Sequence, residues 1–265
     1  MKVRIIMNQL NVTPTSLVLS FILVIIAIII SYREKLKLEK ELIIAIVRMI
    51  VQLVVVGFLL QGIFQVNNTF VTLAMMLVMI LNASWNAGQR GKGLKNAFIN
   101  SLIAILTTAT ITISVLVLSG SLEFTPSQLI PITGMIIGGS MSSIGLAFST
   151  LSQTFTDQAQ AVQEKLALGA TPYQASQSIL KATMSRGLQP TIDSTKTVGL
   201  VTLPGMMGGL MFAGIDPTKA ILYQIMVMFM MLASTAISTY IATYLTYRSF
   251  FSDRNQLRTN RLKDK

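Results

Sequence analysis

The 265-residue sequence contains no histidine and no cysteine. That removes imidazole and thiolate metal sites, disulfides, Cys nucleophiles and His general bases together. The ten acidic residues fall almost wholly in loops or at the ends of apolar runs, so no carboxylate pair is placed for acid–base work inside one. No residue set is read as catalytic, no cofactor is expected and no metal ligand set is assigned. The softest donors are the 16 methionines. Met135, Met141, Met206, Met207 and Met211 share flexible, glycine-bearing segments, and thioethers bind Cu(I). Filling irregular gaps in packing is the ordinary use of methionine and the default here. No G-x-x-x-x-G-K-[ST] string occurs, and Gly88-Gln89-Arg90-Gly91-Lys92-Gly93 lacks both the spacing and the hydroxyl after lysine. If ATP drives this protein, another polypeptide hydrolyses it.

What remains is polar or conformationally special chemistry inside apolar runs. Arg48 lies about a third of the way into one run, with Gln52 one turn deeper on the same face. An arginine there either serves a solute pathway or a partner, or snorkels to the interface. Asn82 and Asn86 share a helix face at i, i+4 beside Trp85. They line a cavity or hydrogen-bond between helices, with the tryptophan at the membrane interface. Gly134, Gly138 and Ser142, and likewise Gly139 and Ser143, recur every four residues, which close helix packing explains. Pro204, Gly205, Gly208 and Gly209 interrupt another run. Broken helices of this kind line transport sites, where freed carbonyls meet a solute. The pathway candidates are therefore Arg48, Gln52, Asn82, Asn86, Gly138, Gly139, Pro204, Gly205 and Gly209. Asp193 and Lys196 read as a surface ion pair or a partner contact.

The sizeable break in hydrophobicity is Ser152 to Lys196. Phe155, Ala159, Val162 and Leu166 repeat at helical spacing opposite a polar face that includes Gln163 and Glu164. Gly169 is a C-terminal stop. Thr171 caps a second helix, with Pro172 at its first position and Gln174 completing a capping box; that helix runs toward Gly187 and Pro190. Two amphipathic helices joined at Leu168-Gly169-Ala170-Thr171 form a rigid lever, the apolar stripe supplying a docking surface. The alternative is a pair lying on the membrane.

Stepping outward, 52% of residues are hydrophobic and 12% charged, against about 25% charged in soluble domains. Seven runs approach the length needed to cross a bilayer. They are Leu17 to Ser31, Leu42 to Phe64, Phe70 to Trp85, Ala97 to Leu118, Leu129 to Leu151, Val198 to Ala213 and Ala220 to Tyr247. The first is a retained helix, since a polar stretch separates it from Lys2 and Arg4 and no small-residue cleavage site follows. Basic residues alternate. Arg33, Lys35, Lys37 and Lys40, then Arg90, Lys92 and Lys95, then Lys165, Lys181, Arg186 and Lys196, then the tail from Arg248 to Lys265 occupy one side, and Lys2, Arg4 and Lys219 the other. The positive-inside rule puts the N-terminus outside and the C-terminus in the cytoplasm of a bacterial (inner) membrane. The net charge of +11 then faces anionic lipid, not nucleic acid. The expected fold is an all-α polytopic membrane protein of about seven transmembrane helices, a single transmembrane domain over 1–265 with a two-helix cytoplasmic loop at about 152–196.

Glu164, Leu168, Gly169, Ala170 and Pro190 resemble the coupling (EAA) loop of ABC-transporter permeases, with Lys165-Leu166 where that family has an Ala pair. Longer strings are more specific: Asn82-Ala83-Ser84-Trp85-Asn86-Ala87, Glu164 through Pro172, Thr191-Ile192-Asp193-Ser194 through Leu203-Pro204-Gly205-Met206-Met207, and Ala213 through Pro217. Through them the chain resembles the FetB-type iron-export permeases, which have plant relatives linked to aluminium tolerance. The resemblance implies a separate FetA-type ABC ATPase partner and a role in iron homeostasis and oxidative-stress resistance. On it, Gln163, Glu164, Leu168, Gly169, Ala170 and Thr171 become ATPase-coupling residues, and the expected assembly is a homodimer of permeases clamped by two ATPase subunits. An ion-coupled secondary carrier and a non-transporting membrane scaffold are the alternatives.

Overall fold

The computed structural model describes residues 13–66, 68–91 and 93–258. Lys2, Arg4, Lys92, Arg261, Lys263 and Lys265, which entered the charge argument, lie outside them. Nine α-helices follow one another among the described residues: α1 Pro14–Arg33, α2 Glu39–Val66, α3 Thr69–Arg90, α4 Ala97–Leu118, α5 Pro126–Asp157, α6 Ala159–Ala167, α7 Pro172–Thr197, α8 Gly205–Phe212 and α9 Pro217–Tyr247. A 3₁₀ turn, Arg248–Phe250, ends the last. The protein is an all-α, polytopic membrane protein. Among the described residues six helices, α1 to α5 and α9, are long and apolar enough to span a bilayer.

Five of these match their apolar runs to within a few residues, and α4 begins and ends on the expected residues. Val198 to Ala213 behaves differently. Only eight residues of it are helical, as α8. Gly199 and Gly214 hold left-handed φ of +87° and +85°, and Pro204 supplies no N–H. The Gly199 N–H closes a turn on the Thr202 carbonyl at 2.9 Å. Eight residues rise about 12 Å, well short of the hydrocarbon thickness.

The chain divides into two compact units. One comprises Met1–Asn67 with Gly208–Ala220, the other Asn68–Met207 with Ile221–Lys265. In the first, α1 and α2 pack as a helical hairpin. Apolar side chains surround both helices, and almost all of them stay exposed.

In the second unit α3 packs on α4 and α5, and α5 also on α4 and α7. Ala83, Ala87, Ala104 and Ala109 let these backbones approach, and Ile105, Ile132, Ile136, Ile144 and Phe148 fill the space between them. Several buried hydroxyls bond back into their own helices: Ser84 to the Ile80 carbonyl at 2.7 Å, Ser101 to Ala97 at 2.8 Å and Thr108 to Ala104 at 2.7 Å. Without water no other acceptor is at hand.

Two boundaries near 152–196 differ from the sequence expectation. α5 continues through Phe155 to Asp157 and breaks at Gln158 (φ −106°, ψ 19°), so α6 has nine residues and Phe155 belongs to the span helix. α7 does not stop at Pro190 but runs on to Thr197. Proline removes one helical hydrogen bond. Beyond it the Thr195 hydroxyl bonds the Thr191 carbonyl at 2.7 Å and the Thr197 hydroxyl bonds Asp193 at 3.1 Å.

Candidate functional site

The turn between α6 and α7 is closed at both ends. The Gly169 N–H donates to the Leu166 carbonyl and the Ala170 N–H to Lys165, both at 3.0 Å. This is a Schellman stop with Gly169 at φ +89° in the left-handed position. The Thr171 hydroxyl then accepts from the Gln174 N–H at 3.3 Å, while the Gln174 side-chain oxygen accepts from the Thr171 N–H at 2.9 Å. The expected stop and capping box are both present. Leu168, at the tip, is 89% exposed, and Gln163, Glu164, Gly169 and Thr171 are exposed beside a half-buried Ala170. The Gln160 amide donates to Glu164 at 3.0 Å along the polar face.

The apolar stripe does not supply the docking surface. Phe155, Val162, Ala175, Ile179 and Leu180 are buried together with Phe250, Phe251 and Leu257, and Ala159 and Leu166 pack on that cluster. The stripe is the core that holds the two helices to the body of the unit. Phe155 stacks on Phe250 with ring centroids 4.1 Å apart and meets Phe251 edge-on at 5.9 Å. A short hairpin carries the C-terminal side: Phe251 pairs with Leu257, the Ser252 N–H bonds the Gln256 carbonyl at 2.8 Å, and Asn255 turns the chain at φ +58°. What α6 and α7 leave for a partner is therefore the polar face and the exposed Leu168 tip.

α7 crosses two span helices. The Ser143 hydroxyl of α5 donates to the Gly187 carbonyl at 2.7 Å and shares a hydrogen bond with the Thr239 hydroxyl of α9. A Cβ at Gly187 would meet Thr239 Cγ2 at 2.7 Å. Ten residues further on, α7 ends beside a cavity of about 410 Å³. Its wall is largely apolar, from Val198, Leu203, Pro204, Met207 and α9 residues such as Ile225 and Met228, with Thr195 and Gln224 among the polar groups. Gln224 is 5% exposed and its Oε1 has no hydrogen-bond partner.

The other pathway candidates are dispersed. Pro204 lines that cavity, whereas Gly205 and Gly209 have open space where a Cβ would stand, as does Gly138. Gly139 does pack: a Cβ there would meet Met231 Cε at 2.8 Å. Both small-residue rows touch a neighbour: Gly139 and Ser143 as just described, and Gly134, where a Cβ would meet Met79 Cε of α3 at 3.2 Å, while Ser142 is exposed. Asn86 donates to the Asn82 side-chain oxygen at 2.7 Å and to its carbonyl at 2.8 Å, so the bonds of this pair among the described residues run within one helix. Trp85 meets Phe98 edge-on at 5.9 Å. Arg48 and Gln52 are exposed on α2, along an open groove of about 490 Å³ that also includes Glu41. Asp193 and Lys196 form the exposed pair expected, at 3.8 Å.

The uncharacterised protein family UPF0014 matches residues 14–251. The chain belongs to UPF0014. Among similar proteins, the "Probable iron export permease protein FetB" of Escherichia coli (strain K12) is 52% identical, over 98% of this chain and all of that protein. "Protein ALUMINUM SENSITIVE 3" of Arabidopsis thaliana is 39% identical over 91% of this chain and 88% of that protein. The "UPF0014 membrane protein YjkA" of Bacillus subtilis (strain 168) is 37% identical over 92% and 98%. No solved structure matches. For this UPF0014 chain, two features escaped sequence reasoning. Gln224 is a lone amide in the apolar run from Ala220 to Leu232, a signal that was there to find. The Phe250-Phe251 clasp was not, because its meaning depends on a phenylalanine 95 positions earlier.

Proposed function

We propose that this chain is the membrane-spanning permease subunit of an ABC-type exporter, the whole 1–265 chain acting as one permease domain energised by a separate ATPase. The observation that carries the proposal is the closed turn at Gly169 with its exposed Leu168 tip, continuous through α7 with the wall of the 410 Å³ cavity. Gln163, Glu164, Leu168, Gly169, Ala170 and Thr171 are the gripping surface. Load on the tip passes along one helix, over the crossing at Gly187, to Thr195 and Val198. The chain itself carries no phosphate-binding loop, so it acts as a transport subunit and not as the hydrolase.

The name of the Escherichia coli relative supports iron export as the first candidate activity. A role in oxidative-stress resistance follows from keeping free iron low. The cavity offers an amide, a hydroxyl, thioethers and apolar surface. Those groups suit a metal that travels inside its own ligand shell better than a bare ferrous ion, which prefers imidazole, carboxylate or water.

The working unit is a homodimer in a bacterial cytoplasmic membrane, N-terminus outside and C-terminus inside. α2 has no buried residue. An arginine within an apolar span, exposed and without an ion-pair partner among the described residues, calls for protein cover that a second copy would give.

The test is reconstitution. Tagged chain purified from its native membranes should bring down a nucleotide-hydrolysing partner, and vesicles holding both should move iron chelate only with ATP. Gly169→Pro, which forbids φ +89°, should leave binding of the chelate intact and abolish ATP-driven flux. Flux that survives ATP depletion, or a preparation with no hydrolase in it, overturns the proposal.

A further inference from the structure

Where α4 begins and α9 ends, a smaller cavity of about 210 Å³ is lined by Lys95, Arg248 and Arg258. The three cations come from separate segments: the α3–α4 loop, the 3₁₀ turn and the C-terminal hairpin. Two hydrogen bonds hold them together. The Arg258 N–H donates to the Phe250 carbonyl at 2.8 Å, and the Asn100 amide of α4 donates to the Thr246 hydroxyl of α9 at 3.0 Å. Gathering like charge is unfavourable unless something neutralises it. Yet the ion pair found among the described residues is Lys196–Asp193, so no carboxylate of a described residue lies within 4.0 Å of any of the three. Asn100, 9% exposed, and Ser249 add polar side chains to the wall. Asp253 is the acidic side chain in the same wall.

We infer that this cavity is an anion site for a phosphate ester, filled by the head group of an anionic phospholipid. Size and charge suit one phosphate against three cations. The level in the bilayer points to lipid, since α4 and α9 are both span helices and the cavity touches the start of one and the end of the other. Basic pockets at that level hold acidic head groups. Asp253 would accept from a head-group hydroxyl, which phosphatidylglycerol has and phosphatidylcholine lacks. The site also binds the C-terminal hairpin to α4, so an occupied site would steady the clasp beneath α6 and α7. It is separate from the solute cavity and does not depend on what is transported.

Full-length chain in detergent, mixed with phosphatidylglycerol or phosphatidylcholine and analysed by native mass spectrometry, tests this. The wild type should retain one phosphatidylglycerol per chain and shed phosphatidylcholine. Arg248→Gln/Arg258→Gln should weaken phosphatidylglycerol retention at least about tenfold, on the order expected for two interfacial cations. If that variant fails to elute as folded protein, Lys95→Gln, an exposed loop change, takes its place with a smaller loss. Equal retention of both lipids by the wild type, or undiminished phosphatidylglycerol retention by a folded variant, overturns the inference. In a parallel arm, thermal protection by inorganic phosphate that matches phosphatidylglycerol would support the anion site and make its occupant a soluble phosphate.

Discussion

At Gly187 a missing side chain sets how closely α7 can approach α9. A methyl group there would have to move Thr239 Cγ2, 2.7 Å away, with Ser143 already bonded to both partners. Gly187→Ala should destabilise the unit by about 1–3 kcal/mol. Thr239→Ser removes the offending methyl and keeps the hydroxyl, so the double variant should recover most of that loss. Thermal unfolding of the four proteins in detergent forms the cycle that checks it. Gln224 presents the opposite case, a polar group left without a partner in an apolar wall. Such a group destabilises by about 1–3 kcal/mol. Gln224→Leu should therefore raise the unfolding temperature or leave it unchanged, while flux through the reconstituted transporter falls. A loss of both stability and flux would show the amide to be structural.

Among the elements, α6 owes its position to an aromatic clasp from the far end of the chain. Nine residues are too few to hold a helix in isolation, and burial of Val162 and Leu166 against Phe155 and the C-terminal hairpin supplies what propensity lacks. Phe155→Ala or Phe250→Ala should lose about 3–5 kcal/mol of local packing. Amide exchange across 159–171 should accelerate by orders of magnitude while α3 to α5 stay protected. The spans and the capping box were legible in the sequence because each depends on neighbours in the chain: some twenty apolar residues, or Thr171, Pro172 and Gln174 in a row. Val198 to Ala213 misled because its composition is apolar while Gly199, Pro204 and Gly214 deny it a continuous helix. The inward turn of the α6 stripe was hidden for another reason. An amphipathic pattern says that a face is covered, not by what.

For the molecule as a whole, the native sequence is free of cysteine, so single cysteines report sidedness without background. Gln163→Cys in intact cells should resist a membrane-impermeant maleimide and react only once the membrane is opened. A cysteine at Thr218, beside Lys219, should show the reverse. Gln163→Cys labelled from outside would invert the topology and remove the ATPase from reach. The charge distribution is what supplies this orientation as an expectation, whereas the anion cavity needed coordinates, because Lys95 and Arg258 are far apart in the chain. α7 has one more consequence. It is pinned at Gly187 with fifteen residues on one side and ten on the other, arms of about 22 Å and 15 Å. A beam pivoted off-centre works as a see-saw with gearing: an inward pull at the tip becomes an outward swing at the cavity, shortened to roughly two-thirds of the stroke.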